Sequence, residues 1–398
     1  MKRIFLKIAV YCLSAVVMGS CVYDFVPDSS DLQGIEKPLV VIEGDIIVGG
    51  MTSVALKSTS PVLGGIEQDG ISYAGASVWV ENEEGAIWQG EPSHESGVHV
   101  VDTRGLSQEG RYRLCVSVPD RGEYRSAFKQ VMVSPPIDNV SYEKADDNSC
   151  VQFEVSTHNS ASAPLYCRWT FTEDWESNSE LTAEIRAKYK EGKVYMEDIP
   201  EEEREEASRC YSHGNSTGIY IGSTEKLSQN VIDRERLHTI NATDKRISSL
   251  YCMNISQTAM DKEAYKYWEV TKSSISGTGG LFAPMPSEIR GNITSVTFPD
   301  EKVIGYVNVS TESVKRVFVY AHELNMFRRN CNGVLYPEEE EGDNVWFSLY
   351  FSGLVPIRYE LKENGDPDKS QAYWTSPDCV DCRIFSNSSR PAYWPEGR

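Results

Sequence analysis

Basic residues are scarce in this sequence. Lys and Arg number 39 against 59 Asp and Glu, so the 398-residue chain carries a formal net charge of -20. A surface with this balance repels a phosphate backbone, which excludes nucleic-acid binding. Long apolar runs are scarce too, since a single stretch at the extreme N-terminus is apolar enough to engage a bilayer, and it is too short to span one. We therefore expect a folded, water-soluble body.

The sequence also lacks the common motifs of catalysis. Its six histidines are scattered, and His322-Glu323 is not followed by the second His of a zinc-protease helix. Gly214 to Gly218 matches the serine-hydrolase string G-x-S-x-G, but a polar segment precedes it where a strand is required. No Gly-rich phosphate loop follows a predicted strand. We expect no enzyme activity, no catalytic residue, no cofactor and no metal site.

The N-terminus has the pattern of an export signal. A basic region containing Lys2, Arg3 and Lys7 precedes an apolar core from Ile8 to Met18. The next residues complete Met18-Gly19-Ser20-Cys21, which resembles a bacterial lipobox with Met in place of the usual Leu. We interpret residues 1–20 as a lipoprotein signal peptide and Cys21 as the lipid attachment site; the alternative is a plain secretory signal with a chance cysteine.

Residues 21–37 have the composition of a tether between the lipid and the folded body. Pro27, Ser29 and Ser30 favour an extended linker. The acidic residues Asp24 and Asp28 resemble a signal for export to the outer face of the outer membrane, and an ordinary solvated tether explains them equally well. The sequence therefore predicts a lipid-anchored protein and leaves the membrane face open.

Residues 38–135 show the alternation of short antiparallel strands. The clearest case is Arg111 to Val118, where Tyr112, Leu114 and Val116 fall on one face. Turn-forming Gly clusters separate about six or seven such runs, as in a β-sandwich. Ser134-Pro135-Pro136 then interrupts the ladder, because proline cannot donate to it. We predict an immunoglobulin-like β-sandwich over 38–135 and a larger β-rich domain over 136–398.

The predicted second domain begins with strands and then changes character. Residues 173–209 are rich in Glu, Lys and Ser, and we predict a solvated helical or irregular acidic insertion there. A packed helix is expected from Thr258 to Thr271, with Thr258 and Asp261 at capping-box spacing and Gly277 to Gly280 at its end.

Further strands are expected after that helix. The expected segments are Val303 to Val309, Arg316 to Tyr320 and Val345 to Phe351, with a loop at Glu338 to Glu341.

Eight cysteines remain once Cys12 and Cys21 are set aside. Export places them in an oxidising compartment, so structural disulfides are expected. We favour Cys379 with Cys382, or either of them with Cys331. A zinc knuckle is not expected, because it needs a second pair of closely spaced ligands. A redox C-x-x-C site is not expected either, because it needs a helix N-terminus, and the turn-rich stretch Thr375 to Asp378 does not predict one.

Several segments together resemble one family, the Bacteroidota outer-membrane lipoproteins known as domain of unknown function 4249. Their order and spacing carry the resemblance, and the segments are Leu39 to Asp45, Ala76 to Val80, Gly110 to Leu114, Ala264 to Trp268, Gly280 to Ser287, Ile289 to Ile293, Val303 to Tyr306, Cys379 to Cys382 and Arg390 to Trp394. The resemblance implies an outer-membrane lipoprotein with an N-terminal immunoglobulin-like domain, found alongside TonB-dependent transporters. It implies no reaction.

The expected function is that of an accessory or binding protein. It would support a TonB-dependent outer-membrane barrel in capturing a glycan or another nutrient, with the membrane as its second partner through Cys21. Trp374, Tyr393 and Trp394 are candidate contact residues, although aromatic residues near a terminus more often pack internally. The alternatives are a scaffold lipoprotein in envelope or surface assembly and a hydrolase with an unrecognised site.

Overall fold

A computed structural model describes residues 38–60, 70–275, 290–326, 331–340 and 343–396. The signal peptide, the tether with Cys21, and the predicted helix end at Gly277 to Gly280 lie outside the described residues. Strand is the dominant secondary structure, which confirms the mostly β fold class. None of the helices in the described ranges has the length and apolar content that crossing a membrane requires.

Strands occur along most of the described chain, from Val40 to Thr375. The first nine are β1 (Val40–Glu43), β2 (Ile46–Ile47), β3 (Met51–Ser58), β4 (Ser77–Asn82), β5 (Ile87–Pro92), β6 (Val98–Asp102), β7 (Arg111–Val118), β8 (Gly122–Ser126) and β9 (Lys129–Gln130). The next nine are β10 (Ile137–Lys144), β11 (Cys150–His158), β12 (Tyr166–Asn178), β13 (Ile185–Lys190), β14 (Lys193–Asp198), β15 (Arg209–Asn215), β16 (Tyr220–Ser223), β17 (Val231–Asn241) and β18 (Leu250–Ala259). The last nine are β19 (Ile293–Ser295), β20 (Val303–Ile304), β21 (Val309–Ser310), β22 (Glu312–Tyr320), β23 (Val334–Pro337), β24 (Glu339–Glu340), β25 (Asp343–Asn344), β26 (Val355–Leu361) and β27 (Pro367–Thr375).

The described residues contain four α-helices, and three short 3-10 helices at Lys245–Ile247, Pro377–Cys379 and Cys382–Phe385. The α-helices are numbered in chain order. They are α1 (Glu201–Ser208), α2 (Lys262–Ile275), α3 (Ala321–Leu324) and α4 (Val345–Phe351).

The N-terminal strands wrap around one apolar core. Their order is β19-β8-β7-β4-β5-β6-β3-β1-β20, with β9 paired to β7. Strand β5 pairs with β4 up to Gln89 and with β6 from Gly90 onward, so it passes from one half of the sheet to the other. Gly90 suits this crossing because a Cβ there would lie 2.8 Å from the Val78 carbonyl oxygen. The immunoglobulin-like subtype stays a prediction.

A segment far along the chain completes this first sheet. Strand β19 pairs with β8, and β20 pairs in parallel with β1. Strand β21 pairs in parallel with β2 as a separate two-stranded sheet. The prediction of one strand over Val303 to Val309 is wrong, because Gly305 divides it. A Cβ on Gly305 would lie 2.1 Å from the Ile42 carbonyl oxygen, and its φ of +142° is one that side chains disfavour. The boundary predicted at residues 135 and 136 stays a prediction.

A second core lies between the sheets β10-β11-β17 and β15-β12-β18-β22. Alternation along β11 and β12 turns Phe153, Trp169 and Phe171 inward. The buried Trp169 indole N–H donates to Gln257 Oε1 at 2.9 Å, so the polar edge of the ring is satisfied. The long strand β12 extends beyond this core and carries acidic residues on both of its faces.

Helix α2 begins later than its sequence pattern predicts. Thr258 is a strand residue, because β18 continues to Ala259 through its pairing with β12. The helix starts at Lys262, and Asp261 Oδ1 accepts a hydrogen bond from the Ala264 backbone N–H at 2.8 Å. Sheet pairing therefore takes precedence over the capping-box pattern. The buried face of the helix, with Tyr267 and Ala264, packs as expected.

The acidic region 173–209 is more ordered than a solvated insertion. Residues 173–178 belong to β12, and β13 and β14 form a hairpin whose Ile185 and Val194 are buried. Helix α1 carries the acidic run and has no buried residue, which agrees with the solvated helix expected there. Buried apolar residues from the hairpin account for the difference from the prediction.

The segment Val345 to Phe351 is a helix, so the prediction of a strand is wrong. In the sheet of the same region, β23 pairs with one edge of the central strand β27 and β26 pairs with the other edge. No edge of β27 is therefore left for Val345 to Phe351 to pair with as a strand. The Asn344 side chain caps α4 by accepting from the Phe347 backbone N–H at 2.7 Å. Glu339 and Glu340, placed in a loop by the sequence, form the short strand β24. The hairpin β13–β14, α1, α4 and strands β23, β26 and β27, together with residues 377–385, are called the C-terminal lobe below.

Candidate functional site

The aromatic residues singled out from the sequence are packing residues. Trp374 and Trp394 are buried, with exposures of 1% and 4%. Tyr393 is half-buried, and its ring lies under the guanidinium of Arg316, whose Cζ is 3.5 Å from the ring centroid. The Tyr393 hydroxyl donates to Asp174. Tyr393 and Trp394 pack the end of the chain against β18 and β22, whereas Trp374 lies in the apolar core of the C-terminal lobe, so all three are packing residues.

Strand β12 brings three buried carboxylates close together in sequence, and all three have partners. On one face, Glu173 accepts hydrogen bonds from the Tyr251 hydroxyl at 2.6 Å and from Arg246 Nη1 at 2.9 Å, with His238 Nε2 at 3.3 Å. Burial raises the pKa of Glu173, but the His238 and Tyr251 hydrogen bonds and the Arg246 charge outweigh it and lower the pKa overall. Its geometry is that of a structural anion.

The opposite face of β12 anchors the end of the chain. Asp174 Oδ1 lies 2.8 Å from His213 Nδ1, and Glu176 accepts from Ser249 at 2.8 Å and from the Trp394 indole N–H at 3.2 Å. Each of these carboxylates is therefore occupied by a structural partner. Within the described ranges, no group of three or more His, Cys, Asp or Glu side chains has the arrangement of a metal site.

Two disulfides connect the C-terminal lobe to the rest of the chain. Cys331 bonds Cys379, which is one of the pairings predicted from the sequence. The alternative pairing of Cys379 with Cys382 is wrong, because Cys382 bonds Cys210, a distant residue that the sequence spacing did not suggest. The described cysteines outside disulfides are Cys115, Cys150, Cys167 and Cys252. Burial raises the pKa of the Cys167 thiol to about 12, so it stays protonated.

We expect the double substitution Cys210→Ser/Cys382→Ser to destabilise the C-terminal lobe by about 2–4 kcal/mol. The bond joins residues separated by 172 positions, so its loss increases the entropy of the unfolded chain. Urea unfolding of the oxidised proteins measures the effect, with the unpaired, half-buried Cys150→Ser as control. Equal unfolding midpoints for wild type and the double variant would contradict this.

The C-terminal lobe exposes a cluster of aromatic rings. Tyr189 of the β13–β14 hairpin contacts Phe347, Tyr350 and Phe351 of α4, with ring-centroid distances of 5.8, 6.4 and 5.2 Å. Phe351 is 59% exposed and Tyr189 is 45% exposed. We call these four residues the aromatic patch. Contiguous exposed apolar groups of this kind mark interaction sites on soluble proteins.

A cavity of about 330 Å³ lies next to this patch, and Tyr350 belongs to both. Its walls come from the hairpin, α1, the start of β26 and the turns after β27. The apolar lining is contributed by Ile185, Ile199, Leu354, Val355, Val380 and Ile384. Mostly apolar concave sites of this size hold small molecules in other proteins.

Five charged side chains line the same cavity. Arg186 Nη1 donates to Glu203 Oε1 at 2.9 Å, and Arg383 Nη2 donates to Asp381 Oδ2 at 2.8 Å. The hydrogen bond from Arg186 lowers the pKa of Glu203, and that from Arg383 lowers the pKa of Asp381, so both carboxylates stay ionised. The fifth side chain is Arg204, whose Nε is buried without a hydrogen-bond partner in the described chain.

Sequence reasoning missed both the aromatic patch and the cavity. The apolar positions Phe347 and Phe351 have i, i+4 spacing, which indicates one face of a helix, but an apolar run broken only by Ser348 also fits a strand. The cavity combines segments from residues 182–207 and 350–384, and no local pattern indicates that they meet.

The sequence matches the model of a protein family described as Domain of unknown function (DUF4249). The match covers residues 22–316, well over half of the chain. No curated protein matches this sequence.

Proposed function

We propose that this chain, which belongs to the DUF4249 family, is a lipid-anchored accessory protein of the outer membrane that works with a TonB-dependent transporter in nutrient uptake. The export signal and Cys21 support the anchor, and the Pro- and Ser-containing tether supports a body held away from the lipid. The role is binding and handover of a glycan or other nutrient, without catalysis.

The aromatic patch is the observation that carries this proposal. Interface centres are enriched in aromatic residues, because a large rigid ring buries much apolar area with little loss of conformational entropy. Phe347 and Phe351 stand one turn apart on α4, with ring centroids 4.6 Å apart, and both face solvent. A protein that served only as an inert spacer would have no physical reason to keep such rings in water.

The test is affinity purification of the tagged full-length protein from detergent-solubilised envelopes. We expect a transporter barrel to co-purify with wild type, and we expect Phe347→Ser/Phe351→Ser to reduce its recovery at least about tenfold. The matched control is Phe298→Ser, since Phe298 is 53% exposed and lies near the N-terminal sheet, away from the patch.

Three results are informative. Loss of the barrel in the double variant, with retention in Phe298→Ser, supports the proposal. Equal recovery from all variants would show that the patch is not the contact. Failure of any barrel to co-purify with wild type would favour the scaffold alternative over the transporter role.

A further inference from the structure

The cavity in the C-terminal lobe has two chemically different walls. One wall is apolar and consists of side chains such as Ile185, Leu354 and Val380. The other wall is a face of α1, where Glu203, Arg204 and Ala207 lie at helical spacing. The rest of α1 faces water, so this short helix covers the cavity without contributing a buried residue of its own.

The charges in the lining do not cancel. Three guanidinium groups face two carboxylates, and the pairs Arg186–Glu203 and Arg383–Asp381 account for four of these five groups. Outside the lining, Glu206 lies 3.7 Å from Arg383. The remaining cation, Arg204, has no ion-pair partner in the described part of the chain.

The side chain of Arg204 is half-buried, and the position of its Nε atom strengthens this observation. Its Nε is inaccessible to solvent and lacks a hydrogen-bond acceptor among the described residues. A buried donor without a partner is destabilising by an amount comparable to a lost hydrogen bond, and such groups in native proteins call for an explanation. A bound acceptor would supply one.

We propose that the cavity binds a small carboxylic acid with an apolar body, whose carboxylate pairs with Arg204. The planar guanidinium offers two parallel N–H donors that match the two oxygens of a carboxylate. The apolar wall removes the hydrocarbon or aromatic part of the ligand from water. A cavity of about 330 Å³ is at the small end of ligand sites, which restricts the acid to modest size.

This inference deepens the proposed binding role, because it names the chemical class that the protein would capture. The inference depends on the proposed function only for the biological role of the bound ligand. The cavity and Arg204 are properties of the isolated protein, so ligand binding is tested without a transporter. A missing barrel in the purification and a missing ligand in the binding assay are therefore separate results.

The experiment is isothermal titration calorimetry on the purified full-length protein in detergent. The probes are octanoate and 3-phenylpropanoate, with octan-1-ol as an uncharged analogue of the first. We expect at least one acid to bind, octan-1-ol to bind at least about tenfold more weakly than octanoate if octanoate is that acid, and Arg204→Gln to weaken acid binding at least about tenfold. The control Arg236→Gln removes the same charge from the exposed surface of β17 and should leave binding unchanged.

A second variant tests the cavity itself. Ala207→Phe places a ring in the lining from the solvated helix α1, where no buried packing is disturbed, and it should block the acid while leaving thermal unfolding unchanged. Binding of neither acid would overturn the proposal. Equal weakening by Arg204→Gln and Arg236→Gln, or undiminished binding in Ala207→Phe, would also overturn it.

Discussion

Replacing residues 1–21 with an ordinary cleavable secretory signal is expected to move the protein from the membrane pellet to the soluble fraction. The reason is the lipid anchor proposed at Cys21. Several acyl chains, with about 0.8 kcal/mol for each buried CH₂, are enough to hold an attached protein stably at a bilayer. We expect the ratio of pelleted to soluble protein to fall at least about a hundredfold, which quantitative immunoblotting after high-salt washing measures.

Mass spectrometry of the mature wild-type N-terminus provides the control for that result. The expected product begins at Cys21 and carries fatty acids. A free amine terminus without fatty acids, or a variant that stays in the washed pellet, would contradict lipid anchoring. The salt wash matters because a protein partner could otherwise retain the unlipidated chain at the membrane through polar contacts.

The second large effect concerns the buried anion on β12. We expect Arg246→Met to lower the free energy of unfolding by about 3–5 kcal/mol, because it leaves the carboxylate of Glu173 buried without its cation. Chemical denaturation with fluorescence detection measures the change. Arg104→Met is the matched control, since Arg104 pairs with Asp102 on the exposed surface, where solvent screens the ion pair, and its loss should leave the free energy of unfolding nearly unchanged.

A second substitution distinguishes the effect of the unpaired Glu173 charge from the effect of the packing that Arg246 loses. Glu173→Gln in the Arg246→Met background removes the stranded charge and should recover most of the lost stability. The loss of unfolding free energy caused by Arg246→Met should also become smaller at acid pH. In wild type the pKa of Glu173 is lowered, so its ionised form contributes stability above the unfolded pKa of about 4.3, and this stability is lost as pH falls through the folded pKa.

In the Arg246→Met variant, by contrast, burial opposes ionisation and acid protonates the stranded carboxyl group. The difference in unfolding free energy between wild type and Arg246→Met should therefore become smaller as the pH falls below about 5. An equal loss of stability in Arg104→Met and Arg246→Met, or a difference that widens toward acid pH, would show that Glu173 is not the cause.

Predictions from local pattern succeeded where burial follows the strand period. The alternation of Tyr112, Leu114 and Val116 predicts a half-buried strand, and β7 has that form. Predictions failed where a neighbouring element decided the outcome. Pairing with β12 keeps Thr258 in β18, and the full pairing of β27 leaves Val345 to Phe351 to fold as a helix.

Candidate site residues show the same division. Trp374, Tyr393 and Trp394 have the composition of a contact surface, yet burial of the two tryptophans and hydrogen bonding of the tyrosine make them structural. Exposure is a property of the folded surface, and the sequence does not report it. Phe347 and Phe351 are also aromatic, like the two tryptophans. Their rings are exposed to solvent because α4 packs with Trp346 on its buried face.

The sequence by itself determined the mostly β class and the prediction of an export signal ending at Cys21, because strand alternation and signal-peptide patterning are local properties of neighbouring residues. Only the tertiary structure decided the Cys210–Cys382 bond, the aromatic patch and the cavity beside Arg204. Each of these joins segments separated by more than a hundred residues. Such contacts depend on how sheets and loops pack, and no local period encodes them.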